Sequence, residues 1–127
     1  MIMYPAIFTE DNGGYCVTFP DLEGCITEGD GLKHAAAMAE EALGGYIASL
    51  YDRKLKIPEP SPLNAIKVNS DNEHVVIICS NADKYFDKPK AVKKTLSIPQ
   101  WLDEIAERQH INFSSVLQEA LKAQLNL

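Results

Sequence analysis

The side chains most able to do chemistry in this 127-residue chain are carboxylates in its first third. They are Asp11, Asp21, Glu23, Glu28 and Asp30. A two-metal site needs several carboxylates that converge on ions about 4 Å apart. These five stand in Gly- or Pro-flanked, turn-like stretches, where acids are common because they bind water and stabilise turns. The pattern favours turn residues, and we expect no catalytic residue and no metal ligand among them.

The histidines and cysteines make no stronger case for catalysis or metal binding. They are His34, His74 and His110, and Cys16, Cys25 and Cys79. The histidine spacings fit no zinc pattern. The cysteines are odd in number and form no CxxC pair, which argues against a disulfide framework and a thiolate metal site. We therefore expect no cofactor, surface or half-buried histidines, and cysteines that act as small half-buried apolar residues in a reducing cytoplasm.

The net charge of −6 is divided unevenly along the chain. Residues 1–89 hold 7 Lys/Arg and 14 Asp/Glu, for a net charge of −7, and residues 90–127 hold 5 and 4, for +1. The first part should attract a basic partner, and the second tolerates an anionic one. No apolar run approaches the ~18 residues of a membrane span, and the first residues lack the features of a secretion signal. We expect a folded protein with no membrane association.

Four strands are predicted in the first 80 residues. They cover residues 4–9, 15–19, 25–27 and 74–79. The first two alternate apolar and polar residues and join through Asp11-Asn12-Gly13-Gly14, where Asn and Gly accept the positive φ of a tight turn. The first three strands follow one another through short turns, which predicts an antiparallel meander. The unbroken apolar run of the fourth indicates a strand buried on both faces.

A helix is predicted from Leu32, with apolar residues at steps of three and four and Asp30 or Gly31 as its cap. The Gly44-Gly45 pair lowers its intrinsic propensity by about 2 kcal/mol relative to two alanines. That pair indicates either a close crossing against the sheet or a kink. Strands and helix together predict a small α+β sandwich.

Three stretches of the first 80 residues recur in a known order. They are YPAIFTEDNGGYCVTFPDLEGCITEGDGL, the Ala/Glu-rich helix and IPEPSP. In order and spacing they resemble the HicB-type antitoxin family, although Gly31 replaces the Ser or Thr that usually caps the helix. The resemblance implies a fold like a truncated ribonuclease H. It also implies a HicA-type toxin as partner, a small basic RNA-cleaving protein whose active site the antitoxin covers.

The last part of the chain has a different pattern, a short strand followed by two helices. Apolar and polar residues alternate from Lys93 to Pro99, Pro99 opens one helix and Asn112 caps the next. Roughly 35 residues are too few to bury a core of their own, and a single strand has no pairing partner inside the module. Because both defects disappear when two chains pair, the pattern predicts a homodimer. The predicted dimer core is Leu96, Ile98, Trp101, Ile105, Val116, Leu117 and Leu121.

KTLSIP and NFSSVLQEAL, in this last part, resemble the ribbon-helix-helix family of DNA-binding proteins. The resemblance implies that a two-stranded ribbon enters the major groove of operator DNA and that a helix start binds phosphate through backbone N–H groups. The implied contacts are Lys93, Thr95 and Ser97 on the ribbon and Asn112, Phe113 and Ser114 at the helix start. The ribbon lacks the Arg and Asn best suited to bidentate base contacts. The alternative is a solvated edge on a module that only dimerises.

The sequence therefore predicts three parts: a toxin-binding domain over residues 1–80, a linker over 81–90 and a ribbon-helix-helix module over 91–127. The predicted function is a cytoplasmic, non-enzymatic antitoxin that blocks its toxin sterically and represses its own operon as a homodimer. Assembly into tetramers through the first domains is left open. Two alternatives remain, a neutralising protein that never touches DNA and a nuclease built on the ribonuclease-H-like domain through Asp21 or Glu23.

Overall fold

The computed structural model of the chain describes residues 1–86 and 90–127. The chain divides into two compact units, Met1–Asp87 and Lys88–Leu127. The first unit carries a sheet and the longest helix, and the second carries two shorter helices. In the described part of the chain, no helix combines the length and apolar character needed to cross a bilayer.

A four-stranded antiparallel sheet forms the base of the first unit. Its strands are β1 (Ile2–Asp11), β2 (Gly14–Thr18), β3 (Ile26–Gly29) and β4 (Glu73–Ser80). They lie in the order β3-β2-β1-β4, and each adjacent pair is antiparallel. The predicted meander of the first three strands is therefore confirmed, and the α+β class with it.

The turn between β1 and β2 has the conformation that its residues favour. Asn12 and Gly13 have φ values of 49° and 82°, as a two-residue hairpin turn requires at both central positions. Phe8 lies opposite Val17 across this hairpin, and both are fully buried. The turn thereby sets the register that places the apolar residues of both strands on one face.

The prediction that the fourth strand is buried on both faces is wrong. β4 pairs only with β1, at the edge of the sheet. Ile78 and Ser80 are buried, whereas the alternating Ile77 and Cys79 are exposed. One face of this strand is covered and the other is not, so its apolar run extends onto exposed surface.

One long helix, α1 (Leu32–Asp52), covers a face of the sheet. Gly31 precedes it with extended backbone and no side-chain cap. The helix buries a continuous apolar stripe, as its spacing predicts. The buried residues are Ala35, Ala39, Leu43, Gly44, Ile47, Ala48 and Leu50.

Gly44 lies at a close crossing, and the helix runs through both glycines without a break. A Cβ on Gly44 would stand 2.2 Å from a ring carbon of Tyr85 and 2.7 Å from Ser80 Oγ, whereas a Cβ on Gly45 would meet no atom within 4 Å. Lys84, beside that tyrosine, pairs with Glu40 of α1 at 2.7 Å. Of the two interpretations of the glycine pair, the close crossing is confirmed at Gly44.

The second unit contains α2 (Gln100–Arg108) and α3 (Phe113–Gln124). Pro99 directly precedes α2, and Asn112 caps α3, as predicted. Residues 90–99, all of them described, form no strand within the single chain. Each described residue of this unit is at least partly exposed, so the unit has no buried core of its own.

Candidate functional site

Among the candidate carboxylates, Asp21 forms hydrogen bonds that hold two parts of the chain together. Its carboxylate accepts hydrogen bonds from the Ser61 N–H, at 2.9 Å, and from the Ser61 hydroxyl. Ser61 lies in the Pro-rich segment after α1, and the neighbouring Pro58 oxygen accepts a hydrogen bond from the Tyr4 hydroxyl. Asp21 therefore fastens this segment to the turn that follows β2.

The other carboxylates do not assemble into a site. Glu28 belongs to β3 and not to a turn, which corrects the expectation for that residue. Asp11, Glu23 and Asp30 are exposed in loops or strand ends. Across residues 1–86 and 90–127, no three His, Cys, Asp or Glu side chains come together as metal ligands.

The histidines are all exposed, as expected. His34 Nδ1 accepts a hydrogen bond from the Asp30 N–H at 3.0 Å, and His74 Nε2 lies 3.4 Å from Glu10 Oε1. His110 has a φ of 56° between α2 and α3. The His34 contact lies at the start of α1, the His74 contact joins β4 to β1, and His110 lies in a loop. None of them places a histidine beside a nucleophile.

Only one of the cysteines behaves as predicted. Cys25 is buried, and Cys16 and Cys79 are exposed. Burial raises the pKa of the Cys25 thiol to about 11, and its sulfur lies 3.7 Å from the Ala42 oxygen. Cys16 and Cys79 are exposed because they lie on strand positions that alternate with the residues buried under α1.

The residues predicted to contact DNA fall into two groups in the second unit. Lys93, Thr95 and Ser97 are exposed in the segment that precedes α2. At the start of α3, the Asn112 side chain accepts a hydrogen bond from the Ser115 N–H at 3.1 Å. Since the cap occupies that amide, the N–H groups of the first turn that remain for a phosphate come from the residues just before it, Phe113 and Ser114.

The residues predicted to form a dimer core leave apolar surface uncovered in the single chain. Trp101 is 63% exposed, Val116 is 56% and Leu121 is 52%. Leu96, Ile98 and Ile105 are also exposed, and Leu117 is partly buried. The helical spacing places the apolar residues of each helix on a common side, but no other part of the described unit covers that side.

The structure also shows a surface that sequence reasoning missed, a groove of about 470 Å³ between β3 and α1. Its lining includes Cys25, Ile26 and Thr27 from the strand side and Met38, Glu41 and Tyr46 from the helix. These two sets lie more than ten positions apart in sequence, and no periodicity links them.

Comparisons with known proteins agree on one family. Residues 4–121 match the model of the HicB-like antitoxins of bacterial toxin–antitoxin systems. The chain is 38% identical over 58 residues to Antitoxin HicB 2 of Photorhabdus laumondii, a match that covers 46% of this chain and 42% of that antitoxin.

Two solved structures are similar over nearly their whole length. A chain of a toxin–antitoxin complex from Streptococcus pneumoniae superimposes with a TM-score of 0.63 and 29% identity, over 97% of this chain and 98% of that one. The antitoxin HicB of Burkholderia pseudomallei gives a TM-score of 0.66 and 22% identity, over 95% and 96%, and shares the fold. Because the family model spans both units, the chain belongs to the HicB-like antitoxin family of bacterial toxin–antitoxin systems.

Proposed function

We propose that this chain is an antitoxin that covers a HicA-type, mRNA-cleaving toxin with its first unit and represses its own operon with its second. The observation that carries the proposal is the uncovered apolar side of α2 and α3. These helices follow residues 90–99, which form no strand in the single chain. A unit that lacks a buried core of its own can gain one by associating with another chain. The simplest associate is a second copy, which supplies the same apolar side and the same segment.

Pairing of two chains through residues 93–98 converts these segments into an antiparallel ribbon. Lys93, Thr95 and Ser97 then share one face at period two, opposite Leu96 and Ile98, which turn toward the helices. A ribbon with this outward face enters the major groove of DNA in the ribbon-helix-helix arrangement. The α3 amides at Phe113 and Ser114 position the module on a phosphate.

Toxin binding is assigned to the first unit because of its charge and its family. The excess of acids in residues 1–89 gives −7, and an RNA-cleaving toxin must present cations to phosphates. Opposite charges speed association and favour the correct partner. The similar chain from Streptococcus pneumoniae was solved in a toxin–antitoxin complex, which supports the same role here. In this proposal the sheet and α1 form a truncated ribonuclease-H-like fold that acts in the cytoplasm by steric cover.

A gel shift with the DNA upstream of the operon tests the repressor role. The wild-type protein should bind in a salt-dependent manner, because neutralised phosphates release counterions. A Lys93→Ala/Thr95→Ala/Ser97→Ala variant should lose this binding and keep its dimeric mass. Lys56→Ala removes one exposed cation from the first unit and serves as a control that should bind like the wild type.

Three outcomes contradict parts of the proposal. Undisturbed DNA binding by the triple variant would remove the ribbon from the interface. No binding by the wild type, with the toxin still neutralised, would establish a purely protein-binding antitoxin. Metal-dependent cleavage of RNA or DNA by the purified protein, abolished by Glu23→Gln, would establish a nuclease.

A further inference from the structure

β3 leaves one edge free, because it ends the strand order β3-β2-β1-β4. The Phe19 N–H donates to the Cys25 oxygen at 3.3 Å, just before the strand. Residues of antiparallel strands alternate between pairs that exchange backbone hydrogen bonds and pairs that do not. The backbone N–H and C=O groups of Ile26 and Glu28 therefore point away from β2, toward the free edge.

In the groove beside this edge, α1 is held to the turn before β3 by a hydrogen bond, and there is open space above the helix. The Tyr46 hydroxyl donates a hydrogen bond to the main-chain carbonyl oxygen of Glu23 at 2.8 Å. This bond connects α1 to the turn before β3. Ile26 is 62% exposed and lines the groove together with Met38. Above Gly45 there is room for a side chain, since an added Cβ would meet no atom within 4 Å. The edge and the groove together fit an extended chain with one apolar side chain turned inward.

The groove also has a definite charge. Glu41 is the charged residue among those that line it. It lies in a unit whose net charge is strongly negative. A partner that binds RNA carries Lys and Arg for the phosphates, so the groove is complementary to a basic segment of such a partner.

We propose that the toxin adds an extended, basic segment to the free edge of β3, seated in the groove between β3 and α1. Its main chain bonds to Ile26 and Glu28, an apolar side chain fills the space beside Met38, and a cation pairs with Glu41. Backbone pairing supplies affinity and the side chains supply specificity, as in other cases of strand addition. The inference rests on the toxin-binding role proposed above and names the surface for it.

Amide hydrogen exchange, measured residue by residue on the full chain, tests the backbone pairing. The probe is the toxin encoded beside this chain, separated from its complex and refolded. The Ile26 and Glu28 amides should exchange rapidly in the free antitoxin and slowly in the complex. The Thr27 amide points toward β2 and should be protected in both states. Unchanged exchange at Ile26 and Glu28 on toxin binding would overturn the proposal.

Two pairs of variants test the groove itself. Gly45→Phe fills the groove, while Gly45→Ala changes the same helix position without filling it. Glu41→Lys reverses the charge of the lining, and Asp71→Lys makes the same reversal in an exposed loop. We expect Gly45→Phe and Glu41→Lys each to weaken toxin binding by about tenfold or more. Both controls should stay close to the wild type, and all four variants should keep wild-type DNA binding.

These experiments distinguish an error in the proposed binding surface from an error in the proposed toxin-binding role. No toxin binding by the wild type contradicts the role itself. Equal toxin binding by all variants contradicts only the groove. If the groove variants bind toxin normally but lose an assembly larger than a dimer, the groove belongs to a second copy of this chain, and the proposal is overturned.

Discussion

At the level of single residues, burial separates Cys25 from the other two cysteines. Its pKa is raised to about 11 by burial, so almost no thiolate forms near neutral pH, and thiolate is the reactive species. We expect a thiol reagent to modify Cys16 and Cys79 rapidly in the folded protein and Cys25 only after unfolding. Cys25→Ala should leave the fast phase unchanged. Three thiols that react at one rate would contradict the buried position of Cys25.

Tyr4 gives the stability of the first unit a dependence on alkaline pH. Its pKa is raised from 10.0 to about 12, chiefly by burial and also by the charges of Glu59 and Asp21. The folded state therefore favours the neutral phenol, whose hydroxyl donates to the Pro58 oxygen. The resulting stabilisation is complete below pH 10 and is lost as the pH rises through about 12.

Comparison with Tyr4→Phe isolates this contribution. Between pH 10 and 12, the free energy of unfolding of the wild type should fall more steeply than that of the variant, as measured in urea at each pH. Tyrosinate absorbance should show one of the five tyrosines ionising later in the wild type and missing from the variant. Parallel pH profiles for the two proteins would show that Tyr4 ionises as it does in the unfolded chain.

At the level of elements, the two adjacent glycines of α1 should respond in opposite ways to alanine. At Gly45 the added methyl meets open space, and the substitution should stabilise by up to about 1 kcal/mol through helix propensity. At Gly44 the methyl collides with Tyr85 and Ser80, and overpacking of this kind costs about 1–3 kcal/mol. We expect Gly44→Ala to be destabilising in urea unfolding.

The cause of that loss can be checked in a Tyr85→Ala background. Without the ring, the main obstacle to a Cβ at Gly44 is gone, so Gly44→Ala should cost less there than in the wild type. Equal costs in both backgrounds would place the strain at Ser80 instead. The free-energy difference between the two backgrounds measures the coupling of Gly44 to Tyr85.

Much of this architecture follows from local patterns, and the missing parts have physical reasons. Alternation and the Asn12-Gly13 turn predict the hairpin, and apolar spacing predicts α1, because both depend on neighbours in sequence. The edge position of β4 is not predictable from its residues, since an apolar run is the same whether one face or two are covered. The groove depends on how β3 and α1 lie against each other in space. The ribbon and helix-start contacts stay predictions, because they would require a second chain and DNA.

At the level of the whole molecule, the proposed function gives different tasks to two parts of the chain that have opposite net charge. Residues 1–89, with a net charge of −7, should repel nucleic acid, so the proposed phosphate contacts fall to residues 90–127, whose charge of +1 is small. A dimer doubles the cations and amides presented to one DNA site, which compensates for a weakly basic module through effective concentration. DNA affinity should therefore depend on dimer formation far more than on any one lysine.

The exposed apolar side of α2 and α3 offers a direct test of that dependence. Leu121 is 52% exposed and belongs to the predicted dimer core, and Leu63 is 54% exposed in the first unit. A lysine in place of Leu121 would place a charge in the dimer core, where burial without a partner is strongly unfavourable. Leu121→Lys should halve the mass seen by sedimentation, remove the dependence of the melting temperature on protein concentration and abolish DNA binding, while the toxin still binds. Leu63→Lys makes the same change outside the core and should retain the dimer.

A wild-type mass of a single 14.1 kDa chain, with α2 and α3 folded, would show that the second unit needs no partner and would remove the physical basis for the ribbon.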